Sequence, residues 1–248
     1  MAKQSGLGDR LFVAGYNLSG DIGSLGRIAG GLAGTQDVTG IDKEAMERVG
    51  LGRDGGIEFS AFFNDAAGQA HPRLSALPTA DQIVTYCRGT TLGNPGAALV
   101  GKQINYDPTR GQDGSLTIAV QALANGFGLQ WGRQGTAGIR TDSTATNGSS
   151  IDDSAASSFG LQAFLHVFAF TGTSVTVKLQ ESSDNGAGDA WADVVGGAFT
   201  AATGVTSERI ATASNLAVER YLRVVTTGTF SNAQFHVLIV RNTTSVVF

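Results

Sequence analysis

Four groups of residues in this chain carry side chains or spacings that could do chemistry. Gly50, Gly52 and Gly55 spell G-x-G-x-x-G, the order of a dinucleotide-binding loop. Three histidines (His71, His166, His236) and one cysteine (Cys87) are the available bases, ligands and nucleophile. Residues 184–189, DNGAGD, resemble half of a calcium loop, with Glu181 and Asp193 close by. Trp191 and Tyr221 offer aromatic faces on which a sugar ring could stack.

Each group also has a plainer reading. A phosphate cradle needs its glycines after a strand and at the start of a helix, so that backbone N–H groups face the anion. Here the order is reversed. Ile41, Ala45, Met46 and Val49 fall at helical spacing, which predicts a helix over 41–49. Thr39 and Asp42 would cap its start and Gly50 would end it. The glycines would then sit at a helix C-terminus, where an anion is disfavoured. Arg53, Asp54, Gly55 and Gly56 read instead as a structural turn into the strand 57–63. His166 and His236 lie among alternating apolar and aromatic residues and read as packed side chains. Cys87 has no pairing signature and reads as a buried thiol in a strand. The DNGAGD segment lacks the third alternating acid and the distal Glu of a calcium loop, so it reads as a surface turn. No G-x-S-x-G elbow or H-E-x-x-H pair occurs, and no cofactor, metal site or catalytic residue is expected.

The elements around these residues are β-strands. Gly contributes 35 of 248 residues, far above its usual ~7% share, and breaks helical periodicity throughout. Apolar alternation predicts strands at 10–16, 24–28, 57–63, 83–89, 97–107 and 115–124, with one helical turn before Pro78. The segment 141–157, rich in Ser, Thr, Asp and Ala, reads as a linker. Beyond it, 158–170 and 174–182 read as one hairpin, and 219–227 and 233–241 as another. The expected division is thus 1–140, a linker at 141–157, and a β-sandwich at 158–248.

Charge narrows the function classes. Charged residues are 15% of the chain and the net charge is −4. Soluble domains carry roughly a quarter, so this surface is suited to being covered by neighbours. There is no cationic cluster with which to grip nucleic acid. The longest apolar runs are too short to cross a membrane, and the first residues lack the apolar core of a secretory signal. In 115–122 the apolar residues Leu116, Ile118, Val120 and Ala122 alternate with Ser115, Thr117, Ala119 and Gln121. Gln103, Asn105 and Asp107, together with Glu58 and Ser60, continue the polar set on neighbouring strands. One sheet face is therefore expected to be core. The other is small, polar and nearly uncharged.

Residues 38–64, a Thr-containing segment followed by G-L-G-R-D-G and then IEFSAFFN, resemble the centre of the major tail (tail tube) proteins of long-tailed phages. In that family the turn is one residue shorter. Residues 92–126 resemble the family's closing pair of long strands, so the likeness spans about 8–136. Residues 218–242 are similar to a sandwich appended to tail proteins of phages of actinobacteria. The resemblance implies a mainly β fold: a tail-tube β-sandwich or barrel with one flanking α-helix, plus a C-terminal β-sandwich as an outer decoration. It implies virion subunits that close into hexameric rings and stack into a tube, assembled in the host cytoplasm. The implied partners are other copies of the chain, tape-measure, tail-terminator and tail-tip proteins, and DNA in passage, with no membrane. Gln103, Asn105, Asp107, Ser115, Thr117, Gln121, Glu58 and Ser60 would line the lumen, where an acidic wall repels phosphates. Residues 17–36 and 108–114 would meet the next ring. The competing readings are a carbohydrate-binding or adhesion protein that uses the 159–248 sandwich, and another virion part such as a capsid decoration or tail-end ring.

Overall fold

A computed structural model of the chain describes residues 5–245. The elements are β1 (Arg10–Val13), β2 (Tyr16–Asn17), β3 (Ile22–Leu32), β4 (Thr35–Asp37), β5 (Arg48–Gly50), β6 (Arg53–Phe62), α1 (Ala70–Leu74), β7 (Gln82–Cys87) and β8 (Pro95–Gln103). They continue with β9 (Asp107–Arg110), β10 (Leu116–Ala124), β11 (Gln130–Gln134), β12 (Arg140–Asp142), β13 (Asn147–Asp152), β14 (Leu161–Ser182), β15 (Ala192–Ala198), β16 (Thr206–Ala211) and β17 (Tyr221–Arg241). The fold is mainly β, consistent with a sandwich, and the described strands close no barrel.

The chain forms two compact units whose boundaries differ from those read in the sequence. The first joins residues 1–20, 83–98 and 131–248, and the second joins 21–82 and 99–130. The first unit is built on β14 and β17. They run antiparallel from Leu161↔Arg241 to Ser182↔Tyr221. The sequence reading placed a turn inside each of them, at 171–173 and 228–232, each with one glycine. The structure uses these glycines as corners instead. Register shifts fall at Gly172, where φ is 151°, and Gly228 has φ of 122°. A Cβ on Gly172 would stand 2.4 Å from the Phe230 Cα, and one on Gly228 would stand 2.3 Å from the Ser174 carbonyl oxygen. Bulges and glycines let a paired ribbon bend while keeping its ladder. Leu161, Ala163, Leu165 and Val167 from before the corner then share one core with Val175, Val177 and Leu179 from beyond it, and with Leu222, Val224, Phe235 and Val237.

The expected linker is part of this unit. β12 and β13 pair with β17 through Arg140↔Phe235 and Ile151↔Leu222. Arg140 holds Asp142 through two bonds of 2.8 and 2.6 Å, and the Thr226 hydroxyl donates to the same carboxylate at 2.7 Å. The Ser and Thr residues that read as linker composition lie on or beside short edge strands with local hydrogen bonds.

In the second unit β6 is flanked by β3 and β10, and β10 also pairs with β9 and with the end of β8. Ile57, Phe59 and Ala61 of β6 and Ile118, Val120 and Ala122 of β10 are buried, as their alternation requires. α1 lies within the predicted turn before Pro78. The Asp21 carboxylate accepts the Ala70 N–H at 2.9 Å at its start.

The helix predicted at 41–49 does not form. β4 and β5 make a two-stranded hairpin, Thr35↔Gly50 to Asp37↔Arg48, with residues 38–47 as its loop. Thr39 is not a helix cap. Its hydroxyl donates to Asp37 at 2.6 Å and accepts the Glu47 N–H at 2.9 Å, tying the loop across its base. A nine-residue helix is marginal in water unless its apolar stripe is buried. Here Ile41, Met46 and Val49 have no surface to pack on and are exposed.

Candidate functional site

Strand pairing places most of the predicted polar residues on one outer face of the second unit. Gln121 stands opposite Glu58, Ala119 opposite Ser60 and Asp107, and Thr117 opposite Thr109 and Phe62. Gln121 donates to Glu58 at 3.0 Å, and Arg27 of β3 lies 3.5 Å from the same carboxylate. This Arg–Glu pair is solvent-exposed and contributes at most ~1 kcal/mol. Asn105 accepts the Gln121 backbone N–H and donates to Asp107, each at 2.7 Å. Ser115 precedes β10, where its N–H and hydroxyl bind Asp113 and hold that carboxyl below its ordinary pKa.

Gln103 does not belong to this set. It pairs with Ala122, whose side chain is core, and so faces the opposite way. There it donates to the Leu74 carbonyl at 2.7 Å and satisfies the end of α1. Sequence reasoning missed Arg27, Ser24 and Phe62. Arg27 and Ser24 pair with Glu58 and Ser60, and Phe62 is 53% exposed on the polar face. A strand was expected at 24–28, but alternation alone puts Ser24 and Arg27 on opposite faces; a register shift between Leu25 and Arg27 brings both to the Glu58 and Ser60 side.

Arg53, Asp54, Gly55 and Gly56 form no turn. They open β6 and pair with β3, Gly30↔Gly55 and Leu32↔Arg53. Neither Gly55 nor Gly56 has positive φ. Gly55 is needed for a close approach: a Cβ there would stand 2.6 Å from the Leu129 backbone nitrogen. The glycine motif therefore spans the foot of a hairpin. The hairpin region exposes Val38, Ile41, Met46, Val49 and Leu51, and Leu32 at the end of β3 is exposed beside it.

The remaining candidates lie in the first unit. His166 and His236 are fully buried and 5.9 and 5.0 Å from the Phe12 ring. The Gly15 N–H donates to His166 Nδ1 at 3.1 Å, so Nε2 carries the proton and donates to Thr85 at 2.8 Å. For His236 the Gly138 carbonyl, 3.0 Å from Nδ1, requires the proton on Nδ1. Nε2 then accepts from the Cys87 thiol at 3.2 Å. Burial lowers His166 to about 3 and His236 to about 4, and pushes the Cys87 thiol up. Cys87 and His236 are thus a neutral thiol and a neutral imidazole with no solvent access. A nucleophilic pair needs the thiolate and an opening to substrate.

The acidic turn binds its own backbone. Asp184 accepts from the N–H groups of Ala187, Gly188 and Asp189, and Asp189 accepts from Ser183. Asp193 is held by Lys178 and Gln180, and Glu181 accepts the Glu219 N–H. Trp191 and Tyr221 are each covered by a guanidinium, Arg223 at 4.3 Å and Arg220 at 4.8 Å.

No protein-family model matches the sequence, and no curated protein is significantly similar to it. Among solved structures, the chain is similar to a component of the virion of a native gene transfer agent particle, with 14% identity and a TM-score of 0.41 over 51% of this chain and 97% of that one. It is also similar to the Dit protein of SPP1, described as a hub adsorption apparatus in phages infecting Gram-positive bacteria, with 10% identity and a TM-score of 0.33 over 94% and 99%. A component of the phage p2 baseplate in its activated conformation matches at 9% identity and 0.32, over 94% and 98%.

Proposed function

We propose that this protein is a structural subunit of a phage tail, whose copies close into hexameric rings that stack around a DNA-conducting lumen. The observation that carries this reading is the β4–β5 hairpin. An isolated two-stranded hairpin is at best marginally stable in water, and this one, with the residue after it, exposes five large apolar side chains. Burying them would contribute on the order of 10 kcal/mol, far more than the hairpin can gain within its own chain. A neighbouring subunit supplies that surface. The outer sheet face supports the second half of the reading. Its exposed cations, Arg27 and Lys102, stand 3.5 and 2.7 Å from Glu58 and Asp81, which leaves little free charge to hold phosphates. The tail-tube likeness of residues 38–64 adds the hexamer, the tape-measure, terminator and tip partners, and assembly in the host.

Negative-stain microscopy of the purified protein tests the reading: rings or tubes are expected, and dispersed monomers at high concentration contradict it. Replacing Thr117 and Gln121 with Lys should leave the assemblies intact but make them retain DNA at low salt, because each added cation gains a phosphate contact. Assemblies that retain no more DNA than the parent would remove this face from the lumen.

A further inference from the structure

Trp131 differs from the other tryptophan of the chain. Trp191 is held beneath Arg223, whereas Trp131 is 54% exposed, its ring edge-on to Tyr86 at 6.4 Å. It lines a cavity of about 340 Å³ within the first unit. The apolar lining includes Ile239, and the polar lining is Arg133, Asp153, Arg241 and Thr243. Gly132 of β11 also lines the cavity and lets that strand approach β17 closely, since a Cβ there would lie 2.3 Å from the Ile239 carbonyl oxygen.

The polar lining is organised before any ligand arrives. Asp153 accepts from Arg133 Nη1 at 2.5 Å through one oxygen and from Arg241 Nε at 2.9 Å through the other. Arg241 is nearly buried and is further fixed by the Val218 and Glu219 carbonyls. A carboxylate offers about four lone-pair positions, so Asp153 keeps acceptor capacity on both oxygens. Arg133 keeps a free donor: its Nε and Nη1 bind Gly93, Asp152 and Asp153, and its Nη2 has no hydrogen-bond partner among the described residues. The Thr243 hydroxyl can both donate and accept.

This combination selects among ligands. An anion would face the Asp153 carboxylate, and Arg133 and Arg241 already neutralise part of their charge against it. A purely apolar ligand would cover Asp153 and leave it short of partners, which is costly. A polyol ring satisfies both parts: its C–H face lies on an aromatic plane and its hydroxyls donate and accept in turn. We propose that the Trp131 cleft binds a saccharide ring, with Trp131 as the platform, Asp153 accepting from ring hydroxyls and Arg133 and Thr243 donating to them. The site stands apart from subunit assembly and does not depend on it.

Saturation-transfer NMR on the full chain tests this with defined probes: glucose, galactose, rhamnose, N-acetylglucosamine and glucuronate, with benzoate as an anionic aromatic control. At least one neutral sugar should show transfer to its ring protons. Trp131→Ala should weaken that binding at least tenfold, while Trp131→Phe and Trp191→Ala should keep it, with the melting temperature unchanged in all three. The proposal fails if no sugar gives transfer, if transfer survives Trp131→Ala, or if benzoate alone binds.

Discussion

The long β14–β17 ribbon and the β4–β5 hairpin, whose strands are three residues each, are both antiparallel pairs that contain glycine, and they meet opposite fates. In the ribbon the glycines make a corner that folds one half over the other, and its apolar residues bury each other. In the hairpin Gly50 and Gly52 lie along a pair that buries no large apolar side chain, and Val38, Ile41, Met46, Val49 and Leu51 remain exposed. Neither local propensity nor alternation separates the two. What differs is whether a second apolar surface lies within reach of the same chain. A ribbon that supplies its own partner is a core. One that does not is an interface.

The largest expected effect lies at the ribbon's corner. Gly228→Val places a Cβ against the Ser174 carbonyl at a φ that L side chains avoid, and should cost about 3 kcal/mol or more, read as a lowered urea midpoint. An unchanged midpoint would mean that the corner does not hold the ribbon.

The buried histidines give the next effect, again confined to the ribbon's unit. Both folded-state pKa values, about 3 for His166 and about 4 for His236, lie below the unfolded value near 6.5. The unfolded chain therefore binds protons first as pH falls. The stabilisation is fully present above about pH 6.5 and is lost progressively toward pH 4, at ~1.4 kcal/mol per pH unit for each ring. Urea titrations at a series of pH values should show this slope, and His236→Asn should reduce it by about half. A flat profile between pH 6.5 and 4.5 would contradict the assigned neutral tautomers.

Smaller effects test the foot of the hairpin. Gly55→Val should cost ~1–3 kcal/mol because Leu129 occupies the space of its side chain. Gly52→Ala meets nothing within 4 Å and has no positive φ, and should stay within ~0.5 kcal/mol of the parent. Equal losses at the two glycines would mean that the motif acts as a unit, as a cofactor loop would.

Alternation made most of the strands legible in the sequence, because one buried face suffices to write it. Leu116, Ile118, Val120 and Ala122 are the clearest case, and the polar residues between them sit where that pattern puts them. Three things were not legible. Ile41, Ala45, Met46 and Val49 keep a helical period, but a period decides structure only when the stripe is buried, and nothing in the chain buries this one. Glycine marks a turn and a corner with the same letter, so two bent strands read as two hairpins. The Ser/Thr composition of 141–157 resembles a linker because short edge strands facing solvent have the same polarity. Trp131 was hidden for a related reason: an isolated aromatic carries no period, and its cleft draws on β8, β11, β13 and β17, segments spread from Pro95 to Thr243.

The central claim is that the exposed hairpin is an interface between copies. Sedimentation velocity on the parent chain and on an Ile41→Lys, Met46→Lys, Val49→Lys variant tests it directly. Large assemblies are expected for the parent, and for the variant a single slow species with an unchanged melting temperature, since none of the three side chains is buried within the chain. A variant that assembles as the parent does, or a parent that sediments only as a monomer, would contradict it.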